Sequence, residues 1–114
     1  MSYKIVPTDN FSRELKRLTK KYPSLKQAIK EFSNELLDSP KTGTPIGHSC
    51  YKVRLSTPDK RSGKSRGFRI ITYVVPMNEI IFLLSIYDKS EVSTLKDWEI
   101  KRIIKELDKI EPFK

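Results

Sequence analysis

The sequence predicts one α+β domain in which helices pack on an antiparallel sheet, in the order β-α-α-β-β-β-α. Apolar residues recur at helical spacing in three stretches, two in the N-terminal third and one at the C-terminal end. Residues 50–91, between them, change to strand patterning and are rich in β-branched residues. A chain of 114 residues has the length of one domain, and we expect that domain to span residues 1–114.

The first half predicts a short strand and a helical hairpin. Residues 3–7 alternate in polarity, and the strand ends at Pro7, which cannot donate to a strand ladder. Residues 8–10 are all of types that begin helices, and four apolar residues follow at helical spacing: Phe11, Leu15, Leu18 and Tyr22. Pro23 ends this helix, and a second apolar stripe runs from Leu25 to Leu36. Two amphipathic helices joined by a short break predict an αα-hairpin.

The second half predicts three strands and a final helix. Residues 39–49 are rich in Gly, Pro and Ser and lack any period, so we expect a loop. Residues 51–55 alternate, residues 68–75 and 80–87 are mostly apolar, and their sequential order predicts an antiparallel meander. The last strand is almost continuously apolar, which predicts cover on both faces. A C-terminal helix, from about Thr94 to Pro112, or a partner would supply the second cover.

The charge balance favours an anionic partner. The net charge is +9 and the pI about 9.7, which suits nucleic acid, an acidic protein or an acidic lipid surface. A membrane partner is not expected, because the longest apolar run is interrupted at residues 76–79. The N-terminus has no apolar signal region, and Cys50 is alone, so we expect a reducing cytoplasm.

A dense cluster of cations lies between positions 52 and 69, with Asp59 as its one acid: Lys52, Arg54, Lys60, Arg61, Lys64, Arg66 and Arg69. A solvated loop explains Lys60 and Arg61 well. It explains Lys52 and Arg54 less well, since strand alternation puts both on one face. Arg69 lies within an apolar strand, where a charge needs a partner or an exposed cleft.

The meander brings these cations to a tyrosine. The start of the second strand lies beside the end of the third, so Arg69 and Tyr87 are expected to be close neighbours. Converging Arg and Lys suit a phosphate, and a tyrosine stacks on a base or exchanges a proton. Cleavage of RNA needs a general base, cations and a general acid. A clustered Lys, a Tyr or Glu91 is a candidate for the proton transfer.

Other chemistries have no pattern in the sequence. His48 is the only histidine, and we interpret it as a loop residue rather than a catalyst. One Cys, one His and no spaced carboxylate set predict no metal site. Neither a nucleophilic triad nor a glycine-rich phosphate loop is present, so no cofactor is expected.

Two motifs resemble a known family: GKSRGFRIITYVV at residues 63–75 and IIFLLSIYDKSEVSTL at residues 80–95. They resemble the RelE/ParE superfamily of toxins from bacterial toxin–antitoxin systems. Within it they are most similar to the RelE/HigB-like branch, which has a GKSGGxRxIYY-like strand followed by an LLxIYxKxE-like strand. This chain departs from that pattern with Arg66 in place of Gly and Thr72 in place of Tyr, which bears on base preference.

The resemblance implies an mRNA interferase: ribosome-dependent, metal-independent cleavage of mRNA through attack of the 2′-OH. It also implies an acidic antitoxin partner that covers the basic face. The catalytic residues it implies are Arg54, Lys64, Arg69 and Tyr87. Lys64 and Arg69 would neutralise the scissile phosphate, while Tyr87 would orient or stack on the nucleotide. The RNA-binding residues predicted around them are Lys52, Lys60, Arg61, Arg66, Lys89 and Glu91.

Two other functions fit the same superfamily or composition. One is a ParE-like toxin that inhibits DNA gyrase by binding protein. The other is an RNA-binding module without catalysis. The combination of Arg54, Arg69 and Tyr87 favours the nuclease, because a gyrase inhibitor needs no phosphate-cleaving cluster.

Overall fold

The structure is a computed structural model that describes residues 2–58 and 67–110. Its strands are β1 (Lys4–Pro7), β2 (Thr44–Gly47), β3 (Cys50–Leu55), β4 (Phe68–Val75) and β5 (Ile80–Asp88). Its helices are α1 (Asp9–Lys21), α2 (Leu25–Asp38) and α3 (Asp97–Ile110). The predicted α+β class is confirmed, and every predicted strand and helix is present.

The five strands form one sheet in the order β1-β5-β4-β3-β2. The predicted antiparallel meander of β3, β4 and β5 is confirmed. The prediction of a wholly antiparallel sheet was wrong at one edge, since β1 pairs with β5 in parallel. A long excursion of chain separates these two strands, so no tight turn determines their relative direction.

The structure adds a strand where the sequence predicted only a loop. β2 lies within residues 39–49 and pairs antiparallel with β3. The connecting turn has positive φ at Gly47, His48 and Ser49. A short strand of Thr, Pro, Ile and Gly has no side-chain alternation, so the backbone ladder to β3 defines it rather than any pattern.

Helices cover both faces of the sheet. The face under α1 and α2, here called the hairpin face, is a core of buried residues that includes Phe11, Leu18, Phe32, Val53, Phe68, Ile70, Leu83 and Ile86. The opposite face, here called the α3 face, includes Cys50, Ile71, Phe82, Leu84, Tyr87, Ile100, Ile103 and Leu107. The expected cover of β5 on both sides is therefore confirmed. Across residues 2–58 and 67–110, the helices are too short or too polar to cross a bilayer.

Candidate active site

Three predicted site residues form one row across the sheet. Arg54 of β3 lies directly opposite Arg69 of β4, and Arg69 lies directly opposite Tyr87 of β5. Directly opposed residues in an antiparallel pair share a face, with their Cα atoms about 4.5–5.5 Å apart. The row therefore spans about 10 Å over two strand spacings. The expected adjacency of Arg69 and Tyr87 is confirmed.

Alternation along each strand turns this row to the α3 face. Val53 packs into the hairpin-face core, so Arg54 points the other way. Phe68 and Ile70 flank Arg69 and also belong to the hairpin-face core. Tyr87 itself belongs to the buried cluster beneath α3. The apolar neighbours thus fix which side of the sheet the charged row occupies.

Arg69 is a buried cation without a protein counter-ion among the described residues. It is 5% exposed, and its Nη1 donates a hydrogen bond to the carbonyl of Phe68 at 3.2 Å. Within residues 2–58 and 67–110 its guanidinium has no carboxylate within ion-pair distance. Burial of a charge with one hydrogen bond is unfavourable, which makes Arg69 a strong site for an external anion.

Tyr87 has an unsatisfied hydroxyl next to that cation in the ladder. It is 3% exposed, and its hydroxyl has no hydrogen-bond partner in the part of the chain that the structure describes. Buried tyrosine hydroxyls usually find a partner, because an unpaired one costs free energy. Two neighbouring polar groups of this kind are suited to a ligand that accepts from both, such as a phosphate.

Two lysines border the row and contact the segment that follows β5. Lys52, on the same face as Arg54, donates from Nζ to Oγ1 of Thr94 at 3.2 Å. The ammonium of Lys89 donates to the carbonyl of Ser93. Both lysines keep donors for a ligand, since an ammonium has three. They lie at the border of the row rather than in it.

The predicted RNA contact Glu91 is turned away from the row. Its carboxylate forms an exposed ion pair with Arg17 of α1 at 3.3 Å. Since α1 packs on the hairpin face, Glu91 is directed to the side of the sheet opposite Tyr87. The remaining predicted residues lie outside the described part of the chain: Lys60, Arg61, Lys64 and Arg66.

His48 and Cys50 lie at the other end of β3 from Arg54. His48 is in the β2–β3 turn, with Nε2 at 3.0 Å from Oδ1 of Asp97. Burial, with a further contribution from the charge of Asp97, raises the pKa of the Cys50 thiol to about 12. A thiol in that state is not a nucleophile at neutral pH. In residues 2–58 and 67–110 there is no cluster of three potential metal ligands.

A half-buried carboxylate was not anticipated from the sequence. Oε1 of Glu14, in α1, accepts hydrogen bonds from Asn10 Nδ2 at 3.0 Å, Ser85 Oγ at 2.9 Å and the Ile86 amide at 3.1 Å. Burial raises the pKa of Glu14, against the opposing effect of the bonds from Ser85 and Ile86 and of the charges of Arg13 and Arg17. The available signal was one acid beyond the first turn of an otherwise basic helix.

These elements define a RelE-like fold. The free E. coli RelE toxin, as a mutant with two arginines replaced by alanine, matches with a TM-score of 0.60 and 21% identity, over 94% of this chain and 99% of that one. The same mutant bound to a peptide of the antitoxin RelB matches with a TM-score of 0.58 and 22% identity, over 85% and 98%.

The intact E. coli RelBE toxin–antitoxin complex matches with a TM-score of 0.57 and 20% identity, over 75% of this chain and 95% of that one. No protein-family sequence profile matches the chain. At these identities the likeness establishes the fold, which agrees with the family that the two sequence motifs resemble.

Proposed function

We propose that this protein is the toxin of a toxin–antitoxin pair and that it cleaves mRNA on the ribosome. The observation that supports the cleavage most directly is the buried guanidinium of Arg69 beside the buried hydroxyl of Tyr87, neither of which has a charge or hydroxyl partner among the described side chains. The RelE-like fold and the two motifs support the toxin assignment.

The proposed reaction is transesterification of RNA without a metal. The 2′-oxygen attacks the adjacent phosphorus, a new oxygen–phosphorus bond forms, and the bond to the 5′-oxygen breaks. The products are a 2′,3′-cyclic phosphate and a 5′-hydroxyl. One proton leaves the 2′-OH for a base, and one is given to the departing 5′-oxygen. Lys64 and Tyr87 remain the candidates for these transfers.

Arg54 and Arg69 would bind the phosphate from two neighbouring strands. A guanidinium donates two parallel hydrogen bonds to phosphate oxygens, and its charge does not vary with pH in the physiological range. The phosphorane that forms during attack has more negative charge than the starting diester. A cation held in a buried position stabilises that added charge more than water does.

Dependence on the ribosome is consistent with the scarcity of proton-transferring groups among the described residues of the row. Among the described residues, the row contains two cations and a phenol, but no imidazole or carboxylate. Such a site stabilises charge better than it moves protons. A message held on the ribosome in an in-line geometry would supply the orientation that the protein does not.

An acidic antitoxin is the proposed protein partner. The net charge of +9 favours a partner of opposite sign. One of the structures with this fold is a toxin–antitoxin complex, RelBE. Cover of the row by an acidic segment would satisfy Arg69 and Tyr87 and exclude RNA from them.

The central test is Arg69→Ala in a purified translation system. Primer extension on a translated message measures the cuts, and translation-free RNA is the control substrate. We expect the cleavage rate to fall about 10²–10³-fold, the usual loss for one charge-stabilising donor. Arg69→Lys keeps the positive charge but cannot donate two parallel hydrogen bonds, so it should retain part of the cleavage rate. Lys30→Ala, an exposed change on α2, should cut at the wild-type rate.

Circular dichroism checks that each variant is folded. Undiminished cutting by folded Arg69→Ala would refute the catalytic assignment. Inhibition of gyrase supercoiling, with no cuts in translated mRNA by the wild-type protein, would assign the chain instead to the protein-binding toxins.

A further inference from the structure

We propose that Glu14 is a positioning residue for the site: with Thr8 and Asn10, it holds a bulge in β5 that turns Tyr87 to the same face as Arg69. This inference rests on the proposed function, since it assigns a role to residues behind that site. It concerns how the row of Arg54, Arg69 and Tyr87 is assembled.

The bulge lies between two parts of β5 that pair normally with β4. Leu83 pairs with Thr72 and Ser85 pairs with Ile71, so Leu84 is an extra residue without a partner in β4. A β-bulge of this kind shifts the alternation of side chains by one position. The part of β5 before the bulge and the part after it therefore follow opposite parities.

This change of parity decides where Tyr87 points. Before the bulge, the even-numbered residue Phe82 faces α3, while the odd-numbered Ile81 and Leu83 face the hairpin. An unbroken strand would put the odd-numbered Tyr87 on the hairpin face as well. With the bulge, Tyr87 faces α3, opposite Arg69. The one extra residue is what brings the phenol to the cations.

Beyond the end of β1, side chains at the N-terminal end of α1, including its N-cap Thr8, bind the edge of β5. β1 pairs with β5 only as far as Pro7 and Leu83. Beyond that point, Oγ1 of Thr8 donates to the carbonyls of Leu83 at 3.0 Å and Leu84 at 3.2 Å. Nδ2 of Asn10 also donates to the carbonyl of Leu84, at 2.9 Å.

Glu14 binds the strand immediately after the bulge. Its Oε1 accepts from the hydroxyl of Ser85 and from the amide of Ile86, one residue before Tyr87. It also accepts from Asn10, so two of the three side chains that hold the bulge are bonded to each other. Without this carboxylate, a buried strand amide would lose its acceptor, and the bulged register would lose its advantage over a regular one.

The placement of Tyr87 is measurable without RNA. The test compares Glu14→Leu, which removes the acceptor, with Glu14→Gln, which keeps one oxygen at the same reach. Glu35→Gln, an exposed change on α2 with the same loss of charge, is the matched control. The readout is the nuclear Overhauser contact between the Tyr87 ring and the Arg69 side chain, in the full-length protein.

We expect this contact in the wild type, in Glu14→Gln and in Glu35→Gln, and we expect its loss in Glu14→Leu. The cleavage rate on translated mRNA should follow the contact, with a fall of about 10²-fold for Glu14→Leu, the scale of a misplaced catalytic group. Retention of the contact in folded Glu14→Leu would overturn the inference.

If Glu14→Leu does not fold, Asn10→Ala and Thr8→Val each remove part of the same support and should weaken the contact, and an unchanged contact in both would also overturn the inference. Absence of cleavage by the wild type, with the contact present and lost in Glu14→Leu, would refute the proposed function and leave the positioning role standing.

Discussion

Arg54 and Arg69 lie directly opposite each other on neighbouring strands and face the same side of the sheet. Like charges in directly opposed positions destabilise a strand pair. Here one guanidinium is exposed and the other is buried without a described carboxylate. The arrangement is unfavourable in the free protein and becomes favourable when an anion lies between the two, which makes stability and ligand binding oppose each other at this site.

Replacement of Arg69 by methionine should stabilise the fold. Methionine has a similar length and fills the same apolar surroundings without a buried charge. We expect the free energy of unfolding to stay the same or to rise by about 1–4 kcal/mol, as for other buried charges replaced by apolar residues. Urea unfolding measures it, with Lys30→Met as the exposed control. A large loss of stability would mean that Arg69 has a structural counter-ion.

Removal of the Tyr87 hydroxyl should separate stability from binding. Because this hydroxyl is buried without a described partner, Tyr87→Phe should leave stability unchanged or raise it by about 1 kcal/mol. Affinity for a short RNA that cannot be cleaved should fall. Fluorescence anisotropy measures the affinity, and Tyr3→Phe, on the hairpin side, is the control. Equal affinity in both variants would remove Tyr87 from the binding site.

The salt dependence of RNA binding should count the phosphate contacts. Lys52, Arg54 and Arg69 should each displace about one counterion from a single strand, so together they should contribute about −2 to the slope of log affinity against log salt. Arg54→Ala should make that slope shallower by about 0.7. Anisotropy titrations at several salt concentrations give both values. The same slope in wild type and variant would show that Arg54 contacts no phosphate.

Stability should depend on pH through Glu14. Burial raises the pKa of this carboxyl in the folded state above its ordinary 4.5, so the folded protein binds the proton more tightly than the unfolded chain. The stability that this tighter proton binding adds is complete below the pKa of the unfolded chain and is lost as the pH rises through the pKa of the folded state. The unfolding free energy of the wild type should therefore fall relative to that of Glu14→Gln as the pH rises from about 4 to about 7. Urea unfolding across that range measures it, and Glu35→Gln should show no such trend.

Replacement by alanine should lower stability to different extents at two glycines, Gly43 just before β2 and Gly47 at its end. Gly43 has a φ of +109°, and an added Cβ would lie 2.6 Å from the Lys52 carbonyl. Gly47 has a φ of +91° but open space around it. We expect Gly43→Ala to cost about 1–3 kcal/mol, from both strain and collision. Gly47→Ala should cost less, about 1 kcal/mol, from strain alone. Thermal unfolding compares the two, and equal losses would mean that the collision is relieved by movement of β2.

Much of the site could be predicted because its strands follow one another. Strands β3, β4 and β5 are consecutive in the chain and pair with one another, and alternation beside Val53 and Phe68 turns Arg54 and Arg69 to one side. That order also brings the end of β5 beside the start of β4, but Tyr87 shares a face with Arg69 only because of the bulge at Leu84. The same reasoning could not orient Glu91, because its direction depends on an ion pair with a helix on the other face.

Other features have no signal in the residue pattern. The bulge at Leu84 falls in an almost continuously apolar run, where an inserted residue changes no visible periodicity. The direction of β1 depends on contacts with β5 far along the chain, and β2 is defined by backbone bonds to β3. The role proposed for Glu14 depends on the position of the end of β1 beside that bulge.

The edge formed by β1 and α1 also bears on how the protein folds. Thr8 and Leu84, which it joins, are 76 positions apart in sequence, whereas the hairpins of the meander close much shorter loops. Contacts between distant segments form late in folding, since their loop entropy is lost before they are made. A folding chain would therefore pass through a state in which the three central strands are assembled and the phenol of Tyr87 is not yet fixed in register. We expect amide exchange at Ile86 to be slower than in the edge strands but faster than in β4, because the contacts of this edge should open more easily than the central ladder.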